Sequence, residues 1–310
     1  MHIIYCKLLN VGLGKSTSIS MLTGLIPPTS GDAMICGHSV THSMQAIRSM
    51  LGVCPQHDIL FPELTVMQHL VMFAEFKGVP SNQVEAAALK MIAEVGLKEK
   101  AHVRSSMLSG GQKRKLSVGI ALIGDSKIII LDEPTSGMDP YSRRSTWNII
   151  QRNKKNRLIL LTTHFMDEAD ILGDRIAIMA DGELRCVGSS LFLKKTYGVG
   201  YTFTVVKETQ GNTSNNIVKT IRSHVAEAEI LNDVGAEVSF RLPFNATPRF
   251  VDLFTDIDAH KSTLNIAQYG ISVTTLEEVF IRVGRNTEGI ERASVMEVAE
   301  EVGTQTYCVL

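Results

Sequence analysis

Lys127-Ile128-Ile129-Ile130-Leu131-Asp132-Glu133 is an unbroken apolar run closed by two carboxylates. A strand covered on one face alternates apolar and polar residues, so a run without alternation reads as a strand buried on both faces. Arg157 to Thr163 repeats the pattern and ends at His164. Toward the start of the chain, His2 to Leu8 reads as a strand entering a glycine-bearing loop, and Thr17 to Leu25 as the next helix, stopped by Pro27-Pro28. Leu51 to Val53 is a further strand, with Gln56 just beyond it. From Leu64 to Leu97 apolar positions recur at helical spacing, broken at Gly78-Val79-Pro80 and Gly96, and Lys113 to Leu122 is again helical. Strands that alternate with helices build a parallel sheet covered by helices, an α/β fold whose catalytic groups favour the carboxyl ends of the strands.

The pattern changes near Gly198-Val199-Gly200. Tyr201 to Lys207 alternates, Ile217 to Val225 is helical, Glu237 to Leu242 alternates, Phe250 to Ile257 is helical, and Ile271 to Val273 begins a last strand or short helix. The expected domains are therefore 1–200, with a helical subdomain over about 64–122, and a small α+β domain over 201–284. Residues 285–310, acidic and small without a clear period, read as a loose tail.

The 310 residues, 44% hydrophobic, suffice for a sizeable core. With 31 Lys and Arg against 32 Asp and Glu, no global field directs the chain to nucleic acid or an anionic surface. Cys6, Cys36, Cys54, Cys186 and Cys308 lack paired spacing, which disfavours a disulfide framework and a zinc site and fits a reducing compartment. No apolar stretch approaches the roughly 20 residues that span a bilayer. Met1 to Leu9 is too short for a signal peptide, and the triplets at Asn212 and Asn245 need a secretory context the chain otherwise lacks.

Three constellations carry chemistry. In Asn10-Val11-Gly12-Leu13-Gly14-Lys15-Ser16-Thr17, backbone N–H groups and a helix N-terminus suit phosphates, Lys15 the outer phosphates, and the Ser16 hydroxyl Mg²⁺. The full phosphate-loop pattern wants glycine where Leu9 stands, so alone this segment reads equally as an ordinary strand-to-helix turn. In the second, Asp132 would hold Mg²⁺ through water and Glu133 would polarise an attacking water; an acidic turn before Pro134 is the bland alternative. The third, Leu108-Ser109-Gly110-Gly111-Gln112, opens a helix whose N-terminus attracts anions. It also reads as a flexible loop with a serine cap, and Lys113, Arg114 and Lys115 as a solvated face. Gln56 and His164 taken singly read more readily as packing or surface than as catalysis.

Taken in order, the loop lysine, the glutamine, Leu108 to Gln112, the strand ending Asp132-Glu133 and the histidine resemble the nucleotide-binding domains of ABC transporters, over about residues 9 to 200. The resemblance implies a P-loop NTPase core, RecA-like with a helical subdomain, that binds ATP and Mg²⁺. It implies that Gln56 senses Mg²⁺ and the membrane domain, that Ser136-Gly137-Met138-Asp139 is the D-loop, and that His164 contacts the γ-phosphate. Catalysis then falls to Glu133, His164 and Gln56, and the metal to Ser16, Gln56 and Asp132. Gly52-Val53-Cys54-Pro55-Gln56-His57, Thr162 to Ala169, Val187 to Lys194 and Ser272 to Phe280 look similar to the A subclass of lipid and sterol transporters, nearest to the first half of plant full-length members. In that subclass a ferredoxin-like regulatory domain follows each motor.

Two departures stand out. Family members carry further strands and an adenine-stacking aromatic ahead of the loop lysine, and Tyr5 cannot fill that role; with Leu9, this predicts an N-terminally truncated member. The family mechanism pairs two motors head to tail, each ATP lying between one motor's phosphate loop and the other's Leu-Ser-Gly-Gly-Gln loop. The implied partners are a transmembrane domain and a second motor, at the cytoplasmic face of a membrane, with no nucleic acid and no metal but Mg²⁺. A soluble ABC-type ATPase without a membrane domain, and a nucleotide-binding-deficient regulatory fragment, are the rival readings.

Overall fold

A computed structural model describes residues 3–9, 14–208 and 214–285. The chain divides between Ser190 and Leu191 into two compact units.

The first unit runs β1 (Ile3–Leu9), α1 (Lys15–Leu22), the short hairpin β2 (Met34–Ile35) and β3 (His38–Ser39), α2 (Met44–Met50), β4 (Leu51–Cys54), α3 (Val66–Phe76), α4 (Ser81–Glu94), α5 (Gly110–Leu122), β5 (Ile128–Asp132), α6 (Pro140–Arg152), β6 (Leu158–Thr163), α7 (Met166–Leu172), β7 (Arg175–Ala180) and β8 (Glu183–Gly188). Its sheet has the order β4-β5-β6-β1-β7-β8, parallel except for β8 at the edge. Every residue of β5 is buried, as its unbroken apolar run requires. Ile128 and Ile130 pack with Ile19, Leu22 and Ile47 of α1 and α2 on one face, while Ile129 points to the opposite face, toward α5. The expected parallel α/β sheet and helical insert are both present.

The helix expected over Thr17 to Leu25 is instead α1, ending at Leu22 before the prolines are reached. Gly24, at φ 69°, donates to the Met21 carbonyl at 3.0 Å, and Leu25 to the Ser20 carbonyl at 2.8 Å. This crossed pair satisfies the last carbonyls and turns the chain out of the helix, a stop that a glycine makes without steric cost.

Within the helical insert, His69 on α3 is fully buried. Its Nε2 accepts the Phe61 N–H at 3.0 Å and its Nδ1 donates to the Thr65 carbonyl at 2.8 Å, so both nitrogens commit it to one neutral tautomer. Burial pushes its pKa below the ordinary 6.5. The neutral form is the folded form, so its contribution is complete above the unfolded pKa and is lost as pH falls. We expect the melting temperature to drop between about pH 7.5 and about pH 5.5, and to drop less in His69→Gln, which has no proton to take up. Thermal melts of both chains check this; equal pH dependence would show the loss arises elsewhere.

The second unit runs α8 (Ser190–Tyr197), β9 (Tyr201–Lys207), α9 (Ser214–His224), β10 (Glu229–Val234), β11 (Glu237–Leu242), α10 (Phe250–Ala259), β12 (Ile266–Val273) and α11 (Leu276–Arg285). Its antiparallel sheet has the order β10-β11-β9-β12, so the two strands on either side of α9 and of α10 sit two places apart and the two halves interleave. That βαββαβ arrangement is the small α+β domain expected after Tyr201. Its core joins Phe203, Val205, Val238 and Phe240 of the sheet to Ile217, Ile221, Leu253 and Ile257 of the helices. Ile271 to Val273 ends the last strand and does not begin it, since β12 starts at Ile266. Every residue of β10 is exposed, which is why no alternation marks it. Among the described residues no helix is long and apolar enough to cross a membrane. The expected tail at 285–310 lies outside the described residues beyond Arg285.

Candidate functional site

Four neighbouring parallel strands end at one edge of the first sheet. Cys54 of β4 lies opposite Leu131 of β5, Asp132 opposite Thr162 of β6, and Leu8 of β1 opposite Thr163. The residues just past the ends of β4, β5 and β6 therefore emerge together, as in other open parallel sheets. Gln56, Glu133 and His164 meet there at one point: Glu133 Oε2 stands 3.4 Å from Gln56 Nε2 and 3.4 Å from His164 Nδ1.

The aim of Glu133 is set by its backbone. At φ 48° it is one of few non-glycine residues in the left-handed region, which costs about 1–2 kcal/mol. Its N–H is held by the Thr162 carbonyl at 3.0 Å and the Thr162 hydroxyl at 3.2 Å, while its own carbonyl accepts from Ser136 N–H at 3.1 Å. Thr162 Oγ1 also donates to Asp132 Oδ1 at 2.5 Å. The two adjacent carboxylates thus have different partners. Glu133 is nearly buried while the His164 side chain is 40% exposed, so the histidine faces the open side of the cluster.

Asn10, Val11, Gly12 and Leu13 lie outside the described residues, as does the side chain of Lys15. Gly14, at φ 96°, is the N-cap of α1 and supplies no side-chain cap. The first-turn N–H groups of a helix need partners from elsewhere, and a phosphate is a fitting one. Ser16 and Thr17 are exposed on that turn. The Ser16 hydroxyl and the Asp132 carboxylate are hard oxygen donors, the set that Mg²⁺ prefers. The amide nitrogen of Gln56 is engaged with Glu133, which leaves its oxygen as the atom suited to a cation.

Leu108 is buried and Ser109 caps α5 in a reciprocal pair: Ser109 Oγ accepts the Gln112 N–H at 3.3 Å, and Gln112 Oε1 accepts the Ser109 N–H at 3.0 Å. Ser109 and Gly110 are exposed, and a Cβ built on Gly110 meets no atom within 4 Å. The chain's own packing does not ask for glycine there. Asp139 caps α6 through the N–H groups of Tyr141 and Ser142 at 3.0 and 2.9 Å. Hydrogen bonds from the Ser142 hydroxyl and these N–H groups hold its carboxyl below the ordinary carboxylate range. Ser136 and Gly137 form the preceding turn, and Met138 is buried beneath it.

Buried Glu168 and Arg114, with partly buried Arg143, lie outside the roles assigned from the motifs and hold the site together. Glu168 on α7 is fully buried and accepts from the Thr135 hydroxyl and from Trp147 Nε1, each at 2.9 Å. It ties the turn after Glu133 to the segment after His164, and burial raises its pKa. Arg143 of α6 lies 3.7 Å above the Phe165 ring beside His164. Arg114 corrects the expected solvated basic face: it is 3% exposed, and its guanidinium reaches Pro55, Asp58, Asp132, Glu133 and Pro134. Spacing does not give this away, since α5 buries every residue from Leu116 to Leu122 and so offers no single stripe that separates Arg114 from Lys113 and Lys115.

Residues 10–136 match the ABC transporter family and residues 201–276 the ACT-like domain. Over 274 residues, 88% of this chain and 16% of the relative, the chain is 54% identical to the human phospholipid-transporting ATPase ABCA3. It is 51% identical over 278 residues to ABC transporter A family member 6 of Dictyostelium discoideum, covering 88% of this chain and 17% of that one. The chain thus spans about one sixth of the length of these relatives. Among solved structures, an ATP-binding subunit of an ABC transporter aligns with a TM-score of 0.58 at 25% identity, over 64% of this chain and 82% of that one. A dimeric ATP-binding cassette in a post-hydrolysis state with ADP and Pi shares the fold, at a TM-score of 0.56 and 24% identity, over 61% and 85% of the two chains.

Proposed function

This chain belongs to the ABC transporter family, in its A subfamily, and from that premise we propose that it is an ATP-binding and ATP-hydrolysing motor coupled to lipid transport across a membrane. The reading rests above all on the convergence of Gln56 and His164 on the Glu133 carboxylate, at the sheet edge where β1 also ends.

In this reading the first turn of α1 and Lys15 bind the phosphates of ATP, and Ser16, Asp132 and the Gln56 oxygen hold Mg²⁺, which offsets charge on the transferring phosphoryl group. Glu133 takes a proton from the attacking water. His164, on the open side of the cluster, meets the γ-phosphate. Ser109 and the N–H groups at the start of α5 serve the ATP of a second motor, so nucleotide joins two motors and hydrolysis parts them. The movement passes to a transmembrane domain through the segment at Gln56, at the cytoplasmic face of a membrane.

The test is Mg²⁺-ATP binding and turnover by the chain beside Lys15→Ala and Leu9→Gly. We expect turnover in the parent and a loss of ATP affinity on the order of 100-fold in Lys15→Ala, the scale for removing a charge from a phosphate contact. Activity in Leu9→Gly alone would show that the site is assembled but its loop is impaired. Absence of binding in all three would overturn the reading.

A further inference from the structure

We propose that Arg114 is a positioning residue that couples the chain's two half-sites, joining the helix end that meets a partner's nucleotide to the cluster that acts on the chain's own. The inference rests on the reading of the site as an ATPase and adds a residue which that reading does not contain.

A guanidinium has five N–H donors, and the contacts of Arg114 account for all of them. Nε donates to the Pro134 carbonyl at 3.2 Å, Nη1 to the Pro55 carbonyl at 2.5 Å and to Asp58 Oδ1 at 3.2 Å, and Nη2 to the carbonyls of Asp132 at 2.5 Å and Glu133 at 3.0 Å. Four of the five acceptors are backbone carbonyls flanking Gln56 and Glu133. The fifth, Asp58, is gripped a second time from the same helix by the Ser117 hydroxyl at 2.9 Å.

Placement gives these bonds their consequence. Arg114 stands at the fifth residue of α5, one turn from the Ser109 cap. A rigid helix transmits displacement of its first turn to a side chain one turn on, and packed polar networks shift between discrete arrangements. Anything that presses on the N-terminus of α5 therefore moves the anchor of the Glu133 carbonyl. Glu133 is sensitive to this, because it sits in the left-handed region and holds that conformation only while its neighbouring peptide groups are bound. Release of the Arg114 bonds lets the residue relax and takes its carboxylate away from Gln56 and His164.

Arg114→Lys keeps the charge but offers three donors from one point in place of a planar fork, and cannot span acceptors on two segments. In the whole chain we expect ATP affinity to stay within about twofold of the parent, kcat to fall about tenfold or more, and the Hill coefficient for ATP to move toward one. Without nucleotide, amide exchange at Glu133 and Ser136 should rise about tenfold or more, while Val95 and Leu97 in the helical insert are unchanged. Asp58→Asn, which removes one charge at constant shape, should shift the same readouts less, and serves if the lysine variant does not fold. Unchanged exchange at Glu133 and Ser136 in a folded variant would overturn the proposal. So would a parallel loss of affinity, kcat and protection throughout the chain, which marks general destabilisation. If the parent proves unable to hydrolyse ATP, the functional reading fails, and the exchange measurement still decides whether Arg114 positions Glu133.

Discussion

Glu133→Gln is expected to leave Mg²⁺-ATP bound and to lower steady hydrolysis by about 10²–10⁴-fold, the range for loss of a general base. The substitution keeps the shape of the side chain and an oxygen for the Gln56 and His164 contacts, each 3.4 Å from the carboxylate in the parent. What it removes is the ability to take a proton. The backbone that aims the residue is held by Thr162 and Arg114, neither of which touches the substituted atom. Binding and turnover should therefore separate cleanly, which equilibrium nucleotide binding and steady phosphate release would measure on one preparation. Hydrolysis near the parental rate would assign the base to another residue and leave Glu133 a structural anchor. A joint loss of binding and turnover would mean that the carboxylate holds the nucleotide and does not act on water.

Gly52→Ala is expected to destabilise the first unit by about 3 kcal/mol or more, at the upper end of overpacking costs. A Cβ on Gly52 would lie 2.0 Å from the carbonyl oxygen of Ala121 and 2.8 Å from Ile129 Cδ1. The first of these atoms is backbone of α5, near its carboxyl end, and no side-chain rotation relieves it. Either α5 moves off the sheet, and Arg114 with it, or β4 is displaced from β5. Thermal unfolding should show a midpoint lower by about 6 °C or more for a domain of this size, or no soluble chain at all. Gly110→Ala is the control, because the space around it is open: the midpoint should be unchanged. A stable Gly52→Ala chain would show that α5 has freedom to shift on the sheet.

The elements legible in advance share a property. Buried β5 and β6 are marked by unbroken apolar runs, and α5 by a cap and helical spacing, all patterns carried by consecutive residues. Gln56, Glu133 and His164 each come directly after a strand or within two residues of one, but Gln56 and His164 are singled out by the resemblance to the family and not by their position alone. The features that escape sequence reading are equally particular. β10 is an exposed edge with no face to mark, and β8 at the edge of the first sheet alternates only weakly. The end of α1 is decided by Gly24 in the left-handed region, ahead of the more conspicuous prolines. Arg114 is misread because it sits between two lysines, and its identity as a cation says nothing of its burial.

Patterns local to the chain establish the alternation of strands and helices, the small-residue loops at two helix starts, the paired carboxylates at the end of β5, and the change to a second α+β unit after Gly200. These arise from backbone dihedral preferences, capping and apolar periodicity, which act over a few residues. The assembled fold alone settles the order β4-β5-β6-β1-β7-β8, the meeting of Gln56, Glu133 and His164, the left-handed turn at Glu133, and the saturation of Arg114 by four carbonyls and the Asp58 carboxylate from two segments. Strand order and buried hydrogen-bond partners depend on contacts between residues far apart in the chain, whose free energy exists only once both sides have been brought together and shielded from water.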